Sequence, residues 1–191
     1  MVPGDCVYVD LNADGEINSN DATRDIGYTD MPEYTAGLNT GFSWKNFDFS
    51  MQWTGAWNVD RMLDEFRRPL GDTNEKGLLL YQYDTTWRSS ADTFTAKFPR
   101  TSSLHASNNY AGSDLYLINA SYLRLKSVEI GYNFNFPFMK KLKMDNCRLY
   151  VNGYNLITIT GFKWGDPESR QSSRPNYPLT RVFNIGLKLG F

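Results

Sequence analysis

Side chains that carry oxygen recur near the start of the chain at a spacing that suits a metal ion. With Asp10 as position 1, side-chain oxygens fall at positions 1, 3, 5, 9 and 12 of a calcium-type loop, and position 7 would contribute a backbone carbonyl. Gly15 occupies position 6, where such loops turn sharply, and Ile17 at position 8 would anchor the loop. The six candidate ligands are Asp10, Asn12, Asp14, Glu16, Asn18 and Asp21.

Six oxygen donors favour Ca²⁺ over Zn²⁺, for which His or Cys ligands would be expected. The loop resembles an EF-hand loop but carries Asp21 rather than Glu at its last position. The alternative is a solvated loop of Asx turns that binds no ion. No His, nucleophile or separate carboxylate pair accompanies the loop, so we expect the ion to be structural, and its loss to loosen the loop.

The sequence gives little support for an enzyme, for nucleic-acid binding or for a site built on Cys or His. The sequence contains no G-x-S-x-G, Walker A, G-x-G-x-x-G or H-E-x-x-H motif, so we expect no enzyme. Its 20 Lys and Arg against 21 Asp and Glu provide no basic stripe for nucleic acid. Cys6 and Cys147 have no metal-type spacing, and the lone His105 lies in a polar stretch, so we interpret all three as incidental.

The last eleven residues alternate strictly between apolar and small or polar side chains. One face carries Phe183, Ile185, Leu187, Leu189 and Phe191. Strict alternation predicts a half-buried strand. At about 3.3 Å per residue it would extend roughly 36 Å, and a tilt of about 45° leaves roughly 25 Å of height, which equals the apolar band of a transmembrane barrel.

Four further segments show similar alternation and predict strands: Tyr34–Trp44, Phe47–Trp57, Tyr122–Phe134 and Cys147–Ile159. Lys45 and Asn46 form a two-residue hairpin turn by position. The apolar parity changes within the third segment, which predicts a bulge near Lys126. A short helix is expected near Glu75–Arg88, with Leu79, Leu80, Tyr83 and Trp87 close to one face.

The connections between these strands alternate in length. They are short at 45–46, long at 58–120, intermediate at 135–146 and long at 160–180. Bacterial outer-membrane barrels have short periplasmic turns and long outer loops, and girdles formed by aromatics such as the 12 Tyr, 12 Phe and 5 Trp of this chain. The predicted fold class is therefore all-β: about five C-terminal strands of a large antiparallel transmembrane β-barrel (34–191) with long extracellular loops, preceded by an extracellular loop (1–33) with the calcium-type motif.

Several ordered stretches resemble the C-terminal part of SusC/RagA-type TonB-linked outer-membrane transporters. The most distinctive is Asn119-Ala-Ser-Tyr-Leu-Arg-Leu-Lys-Ser-Val-Glu-Ile-Gly-Tyr132. The others, in chain order, are Gly4-Asp5 with the loop Tyr8–Asn18, Tyr34–Phe42, Arg148–Leu156, Asp166-Pro-Glu168 and Tyr177–Arg181. The resemblance covers essentially the whole chain. A family member has about 22 strands and an internal plug, so five strands without a plug indicate a piece of a longer protein.

The resemblance implies uptake of glycans or peptides across the bacterial outer membrane, with a SusD-like surface lipoprotein capping the barrel. TonB would act through the missing N-terminal region, and the apolar strand faces would contact outer-membrane lipid. The terminal alternating strand that ends at Phe191 would carry the signal for the barrel-assembly machinery. Aromatic candidates for contact with substrate or with the lid are Trp57, Trp87, Tyr110, Tyr116 and Trp164.

The runner-up is a soluble, calcium-stabilised β-sandwich that binds carbohydrate, with the aromatic faces packed between two sheets. The two hypotheses differ in where the apolar faces lie. In a barrel, residues such as Phe47, Trp53 and Leu187 face lipid, whereas in a sandwich they are buried.

Overall fold

The computed structural model describes residues 2–67, 78–102, 107–137, 143–169 and 179–191. The strands in this part of the chain are β1 (Tyr34–Trp44), β2 (Phe47–Trp57), β3 (Asp60–Met62), β4 (Leu117–Asn119), β5 (Tyr122–Phe134), β6 (Asn146–Thr160) and β7 (Val182–Gly190). One α-helix, α1 (Leu80–Thr85), and 3₁₀ turns at Ser19–Asp21, Asp64–Phe66, Ser90–Asp92, Ser107–Tyr110 and Asp114–Tyr116 complete the described elements. None of the described helices is long and apolar enough to cross a membrane.

The principal element is a five-stranded antiparallel sheet in the order β1-β2-β5-β6-β7. The five alternating segments of the sequence form these strands, and three of them have the predicted limits. Strand β6 extends one residue further at each end than predicted, and β7 is one residue shorter at each end. The all-β prediction is thereby confirmed.

A tight turn and a β-bulge fix the register of the sheet. Lys45 adopts a left-handed φ of 54°, which lets the chain reverse over two residues between β1 and β2. In β5, Leu125 pairs with Trp53 while Ser127 pairs with Gln52, so Lys126 is the extra residue of a bulge. The predicted bulge is confirmed, and it returns Leu125 to the face that carries the apolar residues further along the strand.

The chain divides into two compact units. The second unit consists of 31–59, 119–169 and 175–191 and contains the five-stranded sheet. The first consists of 1–30, 60–118 and 170–174, and it includes the two-stranded sheet β3-β4 except for Asn119. Residues 1–33 and 58–120 are predicted as separate loops, whereas most of both belong to this one compact unit.

Aromatic rings form the core of the first unit. Phe66, Tyr81, Phe98 and Tyr116 contact one another with ring centroids 5.2–6.4 Å apart. Of the helix predicted at Glu75–Arg88, only Leu80–Thr85 is helical among the described residues, and 75–77 lie outside them. The helix ends before Trp87 because Thr86 is extended and pairs with Phe98.

Candidate functional site

One face of the five-stranded sheet is apolar across every strand. Residues that pair directly lie on the same face, and two such rows are Phe42–Phe49–Ile130–Val151–Ile185 and Trp44–Phe47–Tyr132–Leu149–Leu187. Many of these side chains are open to the surroundings, and Ile185 is 77% exposed. The predicted terminal face of Phe183, Ile185, Leu187, Leu189 and Phe191 is likewise exposed.

This exposure decides between the two sequence hypotheses for the aromatic faces. A soluble sandwich would bury Phe47, Leu187 and their neighbours, yet both side chains are exposed. An open apolar face of this extent indicates a contact with a membrane or with another protein. Among the described residues no second sheet covers this face, as the sandwich alternative would require.

The opposite face of the sheet is polar and extensively hydrogen-bonded. Arg148 on β6 donates from Nε to Asp48 Oδ1 (3.0 Å) on β2 and from Nη2 to Glu129 Oε1 (2.7 Å) on β5. Asn152 Nδ2 donates to Glu129 Oε2 (3.2 Å), and Asn184 Nδ2 on β7 donates to Asn152 Oδ1 (2.9 Å). These bonds connect four strands, so polar side chains reinforce the backbone ladder on this face.

Two glycines make room for larger side chains on this face. A Cβ on Gly131 would collide with the guanidinium of Arg148 and the carboxylate of Asp48, and a Cβ on Gly186 would collide with the ring of Tyr150. Sequence reasoning missed the network. The available signal was that Asp48, Glu129 and Arg148 all fall at the polar parity of their strands.

The calcium-type loop is folded by its own side chains. Asp10 Oδ2 accepts from Gly15 N (2.8 Å), Asp14 Oδ1 from Glu16 N (2.8 Å), and Asp21 Oδ1 and Oδ2 from Leu11 N (2.9 Å) and Asn18 N (2.8 Å). The Asn18 N–H is the largest cause that holds the pKa of Asp21 below its usual value. Within the described residues, no three His, Cys, Asp or Glu side chains are grouped closely enough to form a metal site of that type.

The donor set nevertheless fits a hard cation. Asp10 Oδ1 is buried and accepts no hydrogen bond from the described residues. A buried carboxylate oxygen without a donor is destabilising unless a proton, a water or a cation satisfies it. The remaining donors would be amide and backbone oxygens from Asn12, Asn18 and Glu16, which suit Ca²⁺.

The chain just before this loop is hydrogen-bonded to Arg100 and to the 107–116 segment of the same unit. Asp5 accepts from Val2 N (2.8 Å), Asn109 Nδ2 (2.9 Å) and Arg100 Nε (2.6 Å). These donors, the Val2 N–H most of all, lower the pKa of Asp5 to about 2. Asn109 is fully buried, and its Oδ1 accepts from Cys6 N (2.8 Å).

A cleft of about 600 Å³ lies beside the loop within the first unit. Its apolar lining includes Val7, Val9, Leu11, Ile17 and Ile26, all of them partly exposed. Asn18 and Asp21 of the candidate metal loop also line it. The cleft was not predicted, because its lining comes from segments far apart in the sequence.

The five aromatic candidates for substrate or lid contact are in different environments. Trp57, at the end of β2, is exposed, and Trp164 is half-buried, both in the second unit. In the first unit, Trp87 packs on Gly4, and Tyr110 is half-buried, which raises the pKa of its hydroxyl. Tyr116 is 1% exposed and donates to Asn109 O (2.6 Å), so it is a core residue and the predicted contact is corrected for this position.

No protein-family model matches the chain. Comparison with individual known proteins, however, finds relatives that share one description. The chain is 30% identical over 206 residues to TonB-dependent receptor P3 of Formosa agariphila, covering 99% of this chain and 19% of the relative. It is 28% identical over 191 residues to TonB-dependent receptor SusC of Bacteroides thetaiotaomicron, covering 99% and 18%. Among solved structures it matches the RagAB peptide importer in the closed-closed state with a TM-score of 0.69 at 20% identity, covering 93% of this chain and 20% of that chain.

The match to the RagAB structure shows that this chain shares its fold with part of that protein. The two sequence relatives are named as the same class of receptor. The chain spans only 18–19% of the length of the two curated relatives. Both are TonB-dependent receptors, and neither name denotes an enzyme. Over 99% of its length the chain is similar to TonB-dependent receptors, SusC of Bacteroides thetaiotaomicron among them.

Proposed function

We propose that this chain is the C-terminal barrel segment of a TonB-dependent transporter that imports peptides or glycans. The observation that carries the proposal is the opposition of the two sheet faces, one apolar and exposed, the other polar and internally hydrogen-bonded. A barrel strand in an outer membrane needs this alternation, because one face contacts lipid and the other faces a polar interior. The transport activity would belong to the whole protein.

The family resemblance supplies the proposed partners. A SusD-like surface lipoprotein would cap the outer opening, and TonB would act through the N-terminal region of the longer protein. The barrel-assembly machinery would bind the terminal strand through the face of Phe183, Ile185, Leu187, Leu189 and Phe191, which is exposed. The RagAB relative is a peptide importer, and this favours peptides as the first substrate class to test.

The test is an uptake experiment with the complete gene. Deleting it in the source bacterium should abolish growth on one class of nutrient, either a defined peptide mixture or individual glycans, while growth on glucose is unchanged. A protonophore should stop uptake of the same nutrient, because TonB-powered transport needs the proton gradient. Normal growth of the deletion strain on every peptide and glycan supplied would contradict the proposal.

Membrane residence can be tested independently by fractionation. An antibody to the C-terminal strand should detect, in the outer-membrane fraction, a species several times larger than 21.9 kDa. A 21.9 kDa species in the soluble fraction would contradict the barrel assignment. Co-purification of a surface lipoprotein after detergent extraction would support the proposed lid.

We also propose that the 10–21 loop binds Ca²⁺ as a structural ion. Its support is the donor spacing and the unpartnered Asp10 Oδ1. The ion would satisfy Asp10 Oδ1 and hold the loop closed. Calorimetric titration with calcium chloride should show one saturable site that Asp14→Ala removes and Asp25→Ala, just outside the loop, retains. Unchanged binding by Asp14→Ala would exclude the site.

A further inference from the structure

Arg124 is a buried cation on the polar face of the sheet. It lies on β5, directly opposite Thr54 of β2 and Thr158 of β6, and is 2% exposed. Its Nε donates to Thr158 Oγ1 (3.1 Å). A buried guanidinium is strongly unfavourable unless carboxylates neutralise it.

The neutralising carboxylates come from the 161–169 segment, which follows β6. Arg124 Nη2 donates to Asp166 Oδ1 (2.8 Å), and Nη1 donates to Glu168 Oε2 (2.7 Å). Lys126 Nζ lies 3.4 Å from the same Glu168 oxygen. Two cations of β5 therefore meet two carboxylates of the segment, and the charges balance.

The segment also has internal order that presents both carboxylates together. Asp166 Oδ1 accepts from Glu168 N (2.9 Å), and Asp166 O accepts from Ser169 N (3.1 Å). At its other end, Phe162 is buried and donates its N–H to Thr160 Oγ1 (3.0 Å). The segment is therefore held at both ends, by Phe162 and by the two carboxylates.

We infer that Arg124 is a positioning residue that latches the 161–169 segment across the polar face of the sheet. The inference rests on the proposed function, under which that face lines the transport channel. The latched segment then covers the channel wall near Thr54 and narrows the outer opening, and its release widens it. Arg suits this role better than Lys because its planar fork binds two carboxylates at once.

Limited proteolysis of the full-length protein in detergent tests the latch. Lys163 is exposed, but trypsin can cleave there only when the segment opens locally. Arg124→Ala should raise the rate of cleavage after Lys163 by about tenfold or more, equivalent to about 1.4 kcal/mol of lost local stability. Arg124→Lys should be cleaved at an intermediate rate. Arg148→Ala is the matched control, because it removes the other polar-face arginine without touching the segment.

Thiol labelling tests whether the segment covers the wall. In a background of Cys6→Ser and Cys147→Ser, Thr54→Cys places a near-isosteric thiol opposite Arg124. A double variant, Asp166→Asn with Glu168→Gln, keeps Arg124 but removes the two carboxylate charges that neutralise it. The double variant should raise the rate at which a polymer-linked maleimide labels Thr54→Cys by about tenfold, because it releases the 161–169 segment from Arg124.

The outcomes separate the latch from the transporter assignment. Heat-modifiable migration in detergent gels reports whether the full-length protein is a closed barrel, and its absence would contradict the proposed function. The ratio of the cleavage rates of Arg124→Ala and wild type tests, independently of that result, whether Arg124 holds the 161–169 segment in place. Equal cleavage of Arg124→Ala, Arg148→Ala and wild type, or unchanged labelling of Thr54→Cys, would overturn the inference.

Discussion

The two units of this chain arrange the same kinds of side chain in opposite ways. In the first unit, Phe66, Phe98 and Tyr116 cluster inside, and the buried polar group Asn109 is hydrogen-bonded. In the sheet of the second unit, apolar residues such as Ile185 lie on an open face, while Arg148 and its carboxylates lie on the other face. The first unit thus gathers aromatic rings in a core, whereas the sheet separates an exposed apolar face from a polar one.

Under the proposed function, this difference in the placement of apolar side chains reflects the surroundings of each unit. Water drives apolar groups inward and accepts polar groups at the surface. In lipid the apolar face gains nothing from burial against protein, and backbone groups must be satisfied by neighbouring strands. The same substitution is therefore expected to have different effects in the two units.

The largest expected effect comes from truncating the core of the first unit. Tyr116→Ala should cost about 3–5 kcal/mol of that unit's stability, because it removes a buried ring and its hydrogen bond. Hydrogen exchange of the full-length protein should show lost protection in 60–67 and 107–117. Leu80→Ala, at a site that is 76% exposed, is the control and should change stability by less than about 0.5 kcal/mol. Equal effects of the two variants would contradict the assigned core.

A charge on the open face of the sheet should be the next most damaging. Phe183→Lys should cost about 2–4 kcal/mol, because Phe183 aligns through Gly153 and Val128 with Met51 near the middle of β2, and so with the bilayer midplane. Asn184→Lys, on the polar face of the same strand, should cost at most about 1 kcal/mol. Urea unfolding of the full-length protein in lipid vesicles measures both. A Phe183→Lys variant as stable as wild type would show that this face does not contact lipid.

A smaller effect is expected from filling space on the polar face. Gly186→Ala places a methyl group against the Tyr150 ring and should cost about 1–3 kcal/mol through overpacking. Gly161→Ala adds the same atom where nothing lies within 4 Å and should be nearly neutral. The same unfolding assay compares them, and identical stabilities would mean that the polar face is not closely packed.

The smallest effect is the pH dependence that Asp5 gives to the first unit. Its pKa is lowered to about 2 in the folded state from 3.8, so its stabilising bonds are complete above the higher value and are lost as pH falls through the lower one. Hydrogen exchange of 107–116, measured from pH 5 to pH 2, should show protection declining in this window. Asp5→Asn should flatten that decline, and an identical pH profile for the variant would contradict the role of Asp5.

Sequence reasoning was most successful where a short-range pattern controls the structure. Alternation located the five strands within one residue, and the parity change in Tyr122–Phe134 located the bulge at Lys126. Both depend only on the two-residue repeat of a strand, which each segment carries in itself. The calcium-type loop has the same local character and remains a prediction.

Tertiary structure decided what no local pattern encodes. The core around Tyr116, the Asp48–Glu129–Arg148 network and the Arg124 latch each join residues that are far apart in the sequence. Tyr116 lies outside the helix and strand repeats that were recognised in the sequence, so the sequence did not separate this buried ring from exposed aromatics. By itself the sequence determined the strands, their two faces and the family resemblance, because these follow from residue order. Which side chains meet across strands and loops was decided by the folded chain, because a buried contact depends on register and on the return path of distant segments.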